Sequence, residues 1–331
     1  MERVDGTYLL MVDYRSSNGI GTLHIPIQYN NGEAHLLMCD YESDYWYPVS
    51  SPIMNFAEMS EKQLFEAVKR THKYYSSLNE GENLRLKQMK LDYGQQYHSI
   101  YRPILTYNLT EYFQTTSQNE TSFIEHYKDS PISSFHEYSN QLRQLEIILE
   151  DLSNVFKVVA PHHKQQNVYG HAIRNIIILA CTELDARMQS ILAKNAVKPD
   201  KKYFEMRDYF KLKDPLKLNE YELSFYRYSD LGPFSPFLKW EKDQQLYWYK
   251  AYNHIKHNRE KHFTEAKLFN AINALMAYAI ILIAQYGYRN ELWNETVGKI
   301  IHIEKEPKWD LQDFYIKSPD TQKDVPYPFK Y

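Results

Sequence analysis

Glycine is scarce in this chain, at ten of 331 residues, which argues against a Gly-rich barrel or sandwich. Cysteine is scarcer still: Cys39 and Cys181 stand far apart in sequence. They build neither a disulfide framework nor a zinc knuckle, and they point to a reducing compartment. A dominant charge is also missing. With a formal net charge of −3, the chain exerts no global pull on a polyanion, so any nucleic-acid contact has to be a local patch. No G-x-S-x-G, Walker A or protein-kinase signature occurs, and the acidic runs "ESDYW" and "ILEDL" carry no H-E-x-x-H, D-x-D or E-x-x-H layout. These gaps weaken hydrolase, ATPase and kinase readings. His162 and His163, with His171 nearby, lack the cysteine or carboxylate neighbours of a coordination sphere. No metal and no other cofactor is expected.

Only one long hydrophobic run is present. "LFNAINALMAYAIILIAQYGY", Leu268 to Tyr288, approaches spanning length but contains Asn270, Asn273 and Gln285. A helix apolar on every side also suits the centre of a helical protein, and burial is the expectation here. The opening "MERVDGTYLL" places acid ahead of its apolar run, unlike a signal peptide. A cytoplasmic protein with no membrane association is expected.

What is present is ordinary globular composition, enough for one or two domains. Thirty tyrosines are spread along the chain; they suit interfaces and nucleotide stacking, and equally a half-buried surface. Near the start, "TYLLMVDY", "GTLHIPIQY" and "EAHLLMCDY" are short β-prone runs separated by "RSSNGIG" and "NNGE". They predict a meander or hairpin pair, with Gly19-x-Gly21 as a turn rather than a phosphate loop. From Met59 the pattern becomes helical, with Ser60 as N-cap and Leu64, Phe65, Val68 and Tyr74 on one face. Tyr97 to Ser130 is polar and carries no clear period. Ser134 to Val159 predicts a long helix with Leu142, Leu145, Ile148, Leu149 and Leu152 in register.

Pro161 and "HHKQQN" then interrupt the chain, which places an expected boundary near residue 160. Three regions follow: 1–160, α+β and helical, of unknown role; 161–290, helical; and 291–331, a tail with a short strand in "GKIIHIEK". The fold class expected is mainly α. Within the helical region, Ile173, Ile176, Ile177, Ala180, Leu184, Met188 and Ile191 hold one stripe. "YELSFYRY" reads as a strand in a Pro-containing connector, and Thr264 reads as the N-cap of the apolar helix.

The chemistry concentrates in "WYKAYNHIKHNREKH", Trp248 to His262. On a helix, Tyr252 neighbours Lys256 and Asn253 neighbours His257, with Trp248 a turn back from Tyr252. Arg259 comes within reach of His257 if the helix loosens at Asn258. An imidazole, an amide and cations are the parts that metal-free phosphodiester cleavage uses. Lys and His at this spacing also make an ordinary solvated helix face, with Trp248 and Tyr252 as core, and composition alone favours that plainer reading. The cations between Lys250 and His262 outnumber the single acid, Glu260, enough to contact a few phosphates in a salt-sensitive way.

The pair "YGHAIRNIIILACTELDARM" and "WYKAYNHIKHNR", followed by the apolar helix, resembles the HEPN superfamily (higher eukaryotes and prokaryotes nucleotide-binding) over roughly residues 165 to 290. The resemblance implies a C-terminal HEPN-like helical bundle behind a smaller N-terminal α+β portion. It also implies a homodimer through the bundle and a metal-independent endoribonuclease of a bacterial defence or toxin–antitoxin system. RNA or a nucleotide would be the ligand, and an antitoxin or a sensor a possible protein partner. In the family's R-N-x-x-x-H signature, Asn253 and His257 match, but Tyr252 occupies the arginine position. The implied catalytic set is His257 as general acid–base, Asn253 as orienter, and Arg259 or Lys256 as phosphate clamp. Tyr252 and Trp248 would contact substrate. Glu183, four residues from Arg187 on the facing helix, would either orient this set or pair with Arg187. A non-catalytic module binding nucleotide, RNA or protein is the alternative.

Overall fold

The computed structural model describes residues 3–16, 19–39, 46–48, 51–71, 83–89, 97–103, 135–242, 244, 246–309, 313 and 324–329. Two compact units emerge. Met1–Gln96, Arg102–Lys128 and Trp309–Lys323 form one; Tyr97–Tyr101, Asp129–Lys308 and Asp324–Tyr331 form the other. Tyr74 and most of the unassigned stretch 97–130 lie outside the described residues.

The first unit is an antiparallel sheet with a helix. Strands β1 (Gly6–Ser16), β2 (Gly19–Asn30), β3 (Glu33–Cys39) and β4 (Trp46–Pro48) form a meander, and β5 (Asn83–Met89) adds beside β1, in the order β4-β3-β2-β1-β5. The β2–β3 reversal needs two residues at positive φ, supplied by Asn31 (50°) and Gly32 (85°). The expectation of a turn at Gly19-x-Gly21 is corrected: strand pairing runs out to Ser16 and Gly19, so both glycines lie in the ladder. Helix α1 (Glu61–Thr71) begins with a reciprocal cap. The Gln63 amide donates to Ser60 Oγ (3.3 Å), and the Ser60 amide donates to Gln63 Oε1 (2.9 Å). Leu64, Phe65 and Val68 then pack on Tyr8, Leu10, Val12, Ile25 and Ile27, the alternate residues that the pleat turns to one face.

The second unit is mainly helical. Helices α2 (Phe135–Phe156), α3 (His171–Lys194), α4 (Tyr247–His257) and α5 (Leu268–Tyr286) share one core. Beside them β6 (Glu222–Phe225) pairs antiparallel with β7 (Ile301–Lys305). The expected boundary near residue 160 falls inside this unit. Leu142, Leu145, Ile148, Leu149 and Leu152 of α2 are buried in the same core as the α3 stripe, so Pro161 marks a turn between packed helices. The coarse class holds: mainly α, with antiparallel sheet.

Helix α5 sits at the centre. By length and composition it could cross a membrane, yet 94% of its apolar window is buried by the protein itself. Among its residues only Phe269 escapes full burial. Three of its polar side chains have partners: Asn273 Nδ2 donates to Phe269 O (2.8 Å), Asn270 Nδ2 to Glu265 O (2.9 Å) and Tyr278 OH to Gln141 O (3.1 Å), whereas the buried Gln285 amide finds none among the described residues. The expected Thr264 cap is also corrected. Thr264 lies in a separate turn, Phe263–Glu265, and Lys267 is the N-cap residue. The carbonyls of Val168 and Gln166 take the first amides of α5, those of Leu268 (2.8 Å) and Phe269 (2.9 Å). At the far end Gly287 adopts φ 76°, and its amide returns to Ile283 O.

Asn195, at the end of α3, joins three parts of this unit. Buried to 4% exposure, its Nδ2 donates to Ile191 O (2.7 Å) and His98 O (2.8 Å), while its Oδ1 accepts from the Tyr327 amide (2.7 Å).

Leu275 is fully buried on α5, whereas Val158 is 85% exposed. Leu275→Ala is expected to cost about 2–5 kcal/mol and Val158→Ala under about 0.5 kcal/mol. Urea midpoints followed by tryptophan fluorescence check the contrast.

Candidate functional site

The motif helix α4 owes its place to one apolar face. Trp248, Ala251, Tyr252 and Ile255 recur at helical spacing and are buried, with Tyr249 at their edge. Trp248 is fully enclosed; its Nε1 donates to Pro236 O (3.0 Å), and its ring meets Phe237 edge-on. Tyr252 is 2% exposed. The expectation that Trp248 and Tyr252 contact substrate is therefore corrected, because both rings are committed to the core. The helix breaks at Asn258 (φ −144°, ψ 74°), as its sequence suggests, and the Asn258 side chain caps the turn Arg259–His262 by accepting from the Lys261 amide.

Each residue advances about 100° around the helix, so the remaining polar residues divide among three strips. The first faces α3. There Tyr249 OH donates to Asp185 Oδ1 (2.8 Å), Tyr252 hydrogen-bonds the same carboxyl, and Lys256 Nζ donates to Tyr252 OH (3.0 Å). Lys256 Nζ also lies 5.1 Å from the Tyr252 ring centroid. Burial raises the Asp185 carboxyl to about 6, against the opposing pull of the Tyr249 hydrogen bond, the Lys256 charge and the Tyr252 hydrogen bond. The hydrogen bond to Tyr252 strengthens the Lys256 ammonium, raising its pKa despite some desolvation. Desolvation pushes the neighbouring Tyr249 and Tyr209 hydroxyls up, and the Asp185 charge pushes them further. Cys181, fully buried in α3 one turn before Asp185, is pushed up by burial and then by the same charge.

The second strip is the wet face. Asn253 is half-buried and His257, one turn on, is exposed. Among the described residues nothing pairs with the His257 imidazole. Arg259 begins the next helical turn, and its side chain lies outside what is described. The expected quartet is thus split. Asn253 and His257 share a face, while Lys256 stands on the flank shared with Tyr252.

The third strip was missed by pattern. His254 Nδ1 lies 2.9 and 3.0 Å from the two oxygens of Glu265, and His262 Nδ1 lies 2.6 Å from Oε1 of the same carboxylate. The two imidazole rings are 4.4 Å apart between centroids. Burial alone would raise the Glu265 carboxyl, but hydrogen bonds from His262 and His254, with their charge, hold it below its ordinary value. The signal was available: His, His and Glu recur around a chain reversal. It is legible only once the turn at Asn258 is known.

Glu183 takes no part in these strips. It acts on Tyr278 of α5, whose hydroxyl is raised by burial and then by the Glu183 charge. Arg187 pairs with Glu137 of α2 (3.2 Å) rather than with Glu183. The α3 carboxylate that meets the motif helix is Asp185, which lies about 200° around α3 from Glu183. Arg174 and Asn175, nearer the start of α3, bond each other in an exposed position (2.7 Å).

Compared with family models, with curated proteins and with solved structures, the chain finds no match.

Asp185 gives this cluster a signature in stability. Its carboxyl binds a proton more tightly folded than unfolded, so the folded state gains protons relative to the unfolded state between about pH 4 and 6. Stability contributed by this group is full below about pH 4 and lost as pH rises through about 6. Asp185→Asn keeps an acceptor for Tyr249 without the ionisation. Relative to wild type, the variant should gain stability from pH 4 to pH 7, read as a widening gap in urea midpoints.

Proposed function

We propose that this chain is a HEPN-like, metal-independent endoribonuclease of the bacterial defence or toxin–antitoxin type, working at the wet face of α4. The observation that carries this reading is the uncommitted imidazole of His257, exposed at the end of a rigid helix with Asn253 one turn behind it. A histidine in this position keeps both ring nitrogens for a substrate. Lys256 adds a fixed positive charge, because Tyr252 OH anchors its ammonium (3.0 Å). Tyr252 then acts as a positioning residue for Lys256 instead of stacking on a base.

In the reaction, His257 takes the proton of a ribose 2′-hydroxyl as that oxygen attacks phosphorus. The bond to the 5′-oxygen breaks, and that oxygen takes a proton from water and leaves as a 5′-hydroxyl, while His257 returns its proton to solvent. The other product end is a 2′,3′-cyclic phosphate. Lys256 and the Arg259 side chain supply charge to the phosphoryl oxygens, and Asn253 orients the phosphate. A homodimer would place two such faces around one cleft. An antitoxin or a sensor protein is the partner consistent with this reading, and the cytoplasm its compartment.

One observation favours a second reading, in which the module binds RNA or nucleotide without cutting it. The position of the signature arginine is a buried tyrosine, so no guanidinium projects from that turn.

Cleavage of synthetic RNA in the presence of chelator separates the two. The nuclease reading expects cyclic-phosphate ends from wild type and a loss of about 10²- to 10⁴-fold in His257→Ala. Salt-dependent RNA binding without turnover, equal in both proteins, would replace it with the binding module.

A further inference from the structure

We infer that His254, His262 and Glu265 form a binding site for a divalent transition-metal ion of the zinc class, with one coordination position left to solvent. The site occupies the flank of α4 opposite Lys256 and rests on no part of the preceding proposal. One donor atom from each of the three residues lies within 4.8 Å of the other two. Imidazole nitrogen and carboxylate oxygen are both preferred zinc donors. In a tetrahedral site with metal–donor distances of about 2.0–2.1 Å, neighbouring donors stand about 3.3 Å apart. The Nδ1–carboxylate separations here are 2.9 Å for His254 and 2.6 Å for His262. Opening these two by about 0.4 and 0.7 Å, with the two imidazole nitrogens drawn to the same spacing, turns a hydrogen-bonded trio into a coordination shell.

Two further features distinguish this trio from an incidental ion pair. First, the backbone that carries Glu265 is already fixed without the histidines. The Lys267 amide (2.7 Å) and Asn270 Nδ2 (2.9 Å) both donate to Glu265 O, the Ala266 amide donates to Phe263 O, and Ala266 is fully buried. Two imidazoles aimed at one carboxylate thus exceed what holding the turn requires, and the donors stand on a preorganised frame. Second, the side chains are partly open, with 34% of His254, 25% of His262 and 34% of Glu265 accessible. An ion can enter, and water can complete its shell. Three protein ligands with one open position are the arrangement of zinc sites that activate water rather than of closed structural sites.

The proton balance is simple. In a neutral ring the proton moves from Nδ1 to Nε2 and frees the Nδ1 lone pair for the metal. A protonated ring releases one proton on binding.

The test uses the full chain, stripped with chelator and dialysed, then titrated with Co²⁺ in the visible range and with Zn²⁺ against a chromophoric chelator. One equivalent should bind, with cobalt absorption of four- or five-coordinate strength. Glu265→Gln and His262→Ala should each weaken binding about 100-fold or more, while far-ultraviolet circular dichroism stays unchanged. His163→Ala, in the His162–His163 pair, should leave the titration unaltered. Binding that is unchanged in Glu265→Gln, or absent at micromolar metal, overturns the assignment. Glu265→Gln keeps shape and backbone, so it decides the matter even if His262→Ala fails to fold.

Discussion

The second unit depends on burying one helix from every side. Helix α5 offers apolar surface around its whole circumference, so each neighbour must present a matching stripe. This requirement fixes the orientation of α4 before any chemistry is considered. Once Trp248, Ala251, Tyr252 and Ile255 are assigned to the core, the remaining side chains have only the flanks and the outer face. The three polar strips are therefore consequences of packing. A wet face, an imidazole–carboxylate cluster and a buried acid each take a different side of the same three turns.

Much of the fold was legible because burial writes a period into the chain. The α2 and α3 stripes, the Ser60 cap, the first three strands and, as separate strands, β6 and β7 all follow local spacing or local capping, whereas the β6–β7 pairing joins distant stretches. Strand β5 was also written there, in the alternation of Leu84 and Leu86 after the turn-forming residues Asn79 and Gly81, but a seven-residue run that is mostly polar gave little contrast. The cap of α5 was illegible for another reason. Its amides are satisfied by Val168 and Gln166, about a hundred residues away, and no local residue type reports a distant carbonyl.

The candidate site divides along the same line. Spacing placed Asn253 with His257 and Tyr252 with Lys256 correctly, since both pairs sit within one helix. It did not rank the faces by burial, so a core tryptophan and a core tyrosine passed for substrate contacts. On α3 it chose Glu183, at the edge of the apolar stripe, over Asp185. The deciding contact, Tyr249 OH to Asp185, joins two helices 64 positions apart. The His254–Glu265–His262 group needed the break at Asn258, where the chain turns back on itself. Helical periodicity ends there, and with it the power of a helical wheel.

Asn195 adds a consequence for how the chain is made. Its amide group is complete only when the carbonyl of His98 and the amide of Tyr327 have both arrived. A ribosome that has delivered α5 has supplied all four long core helices, but not this last partner. The acceptor at the end of α3 therefore gains this partner only after translation has passed α5 and reached Tyr327. Packing of the four helices and completion of this polar joint are thus separate events along the chain.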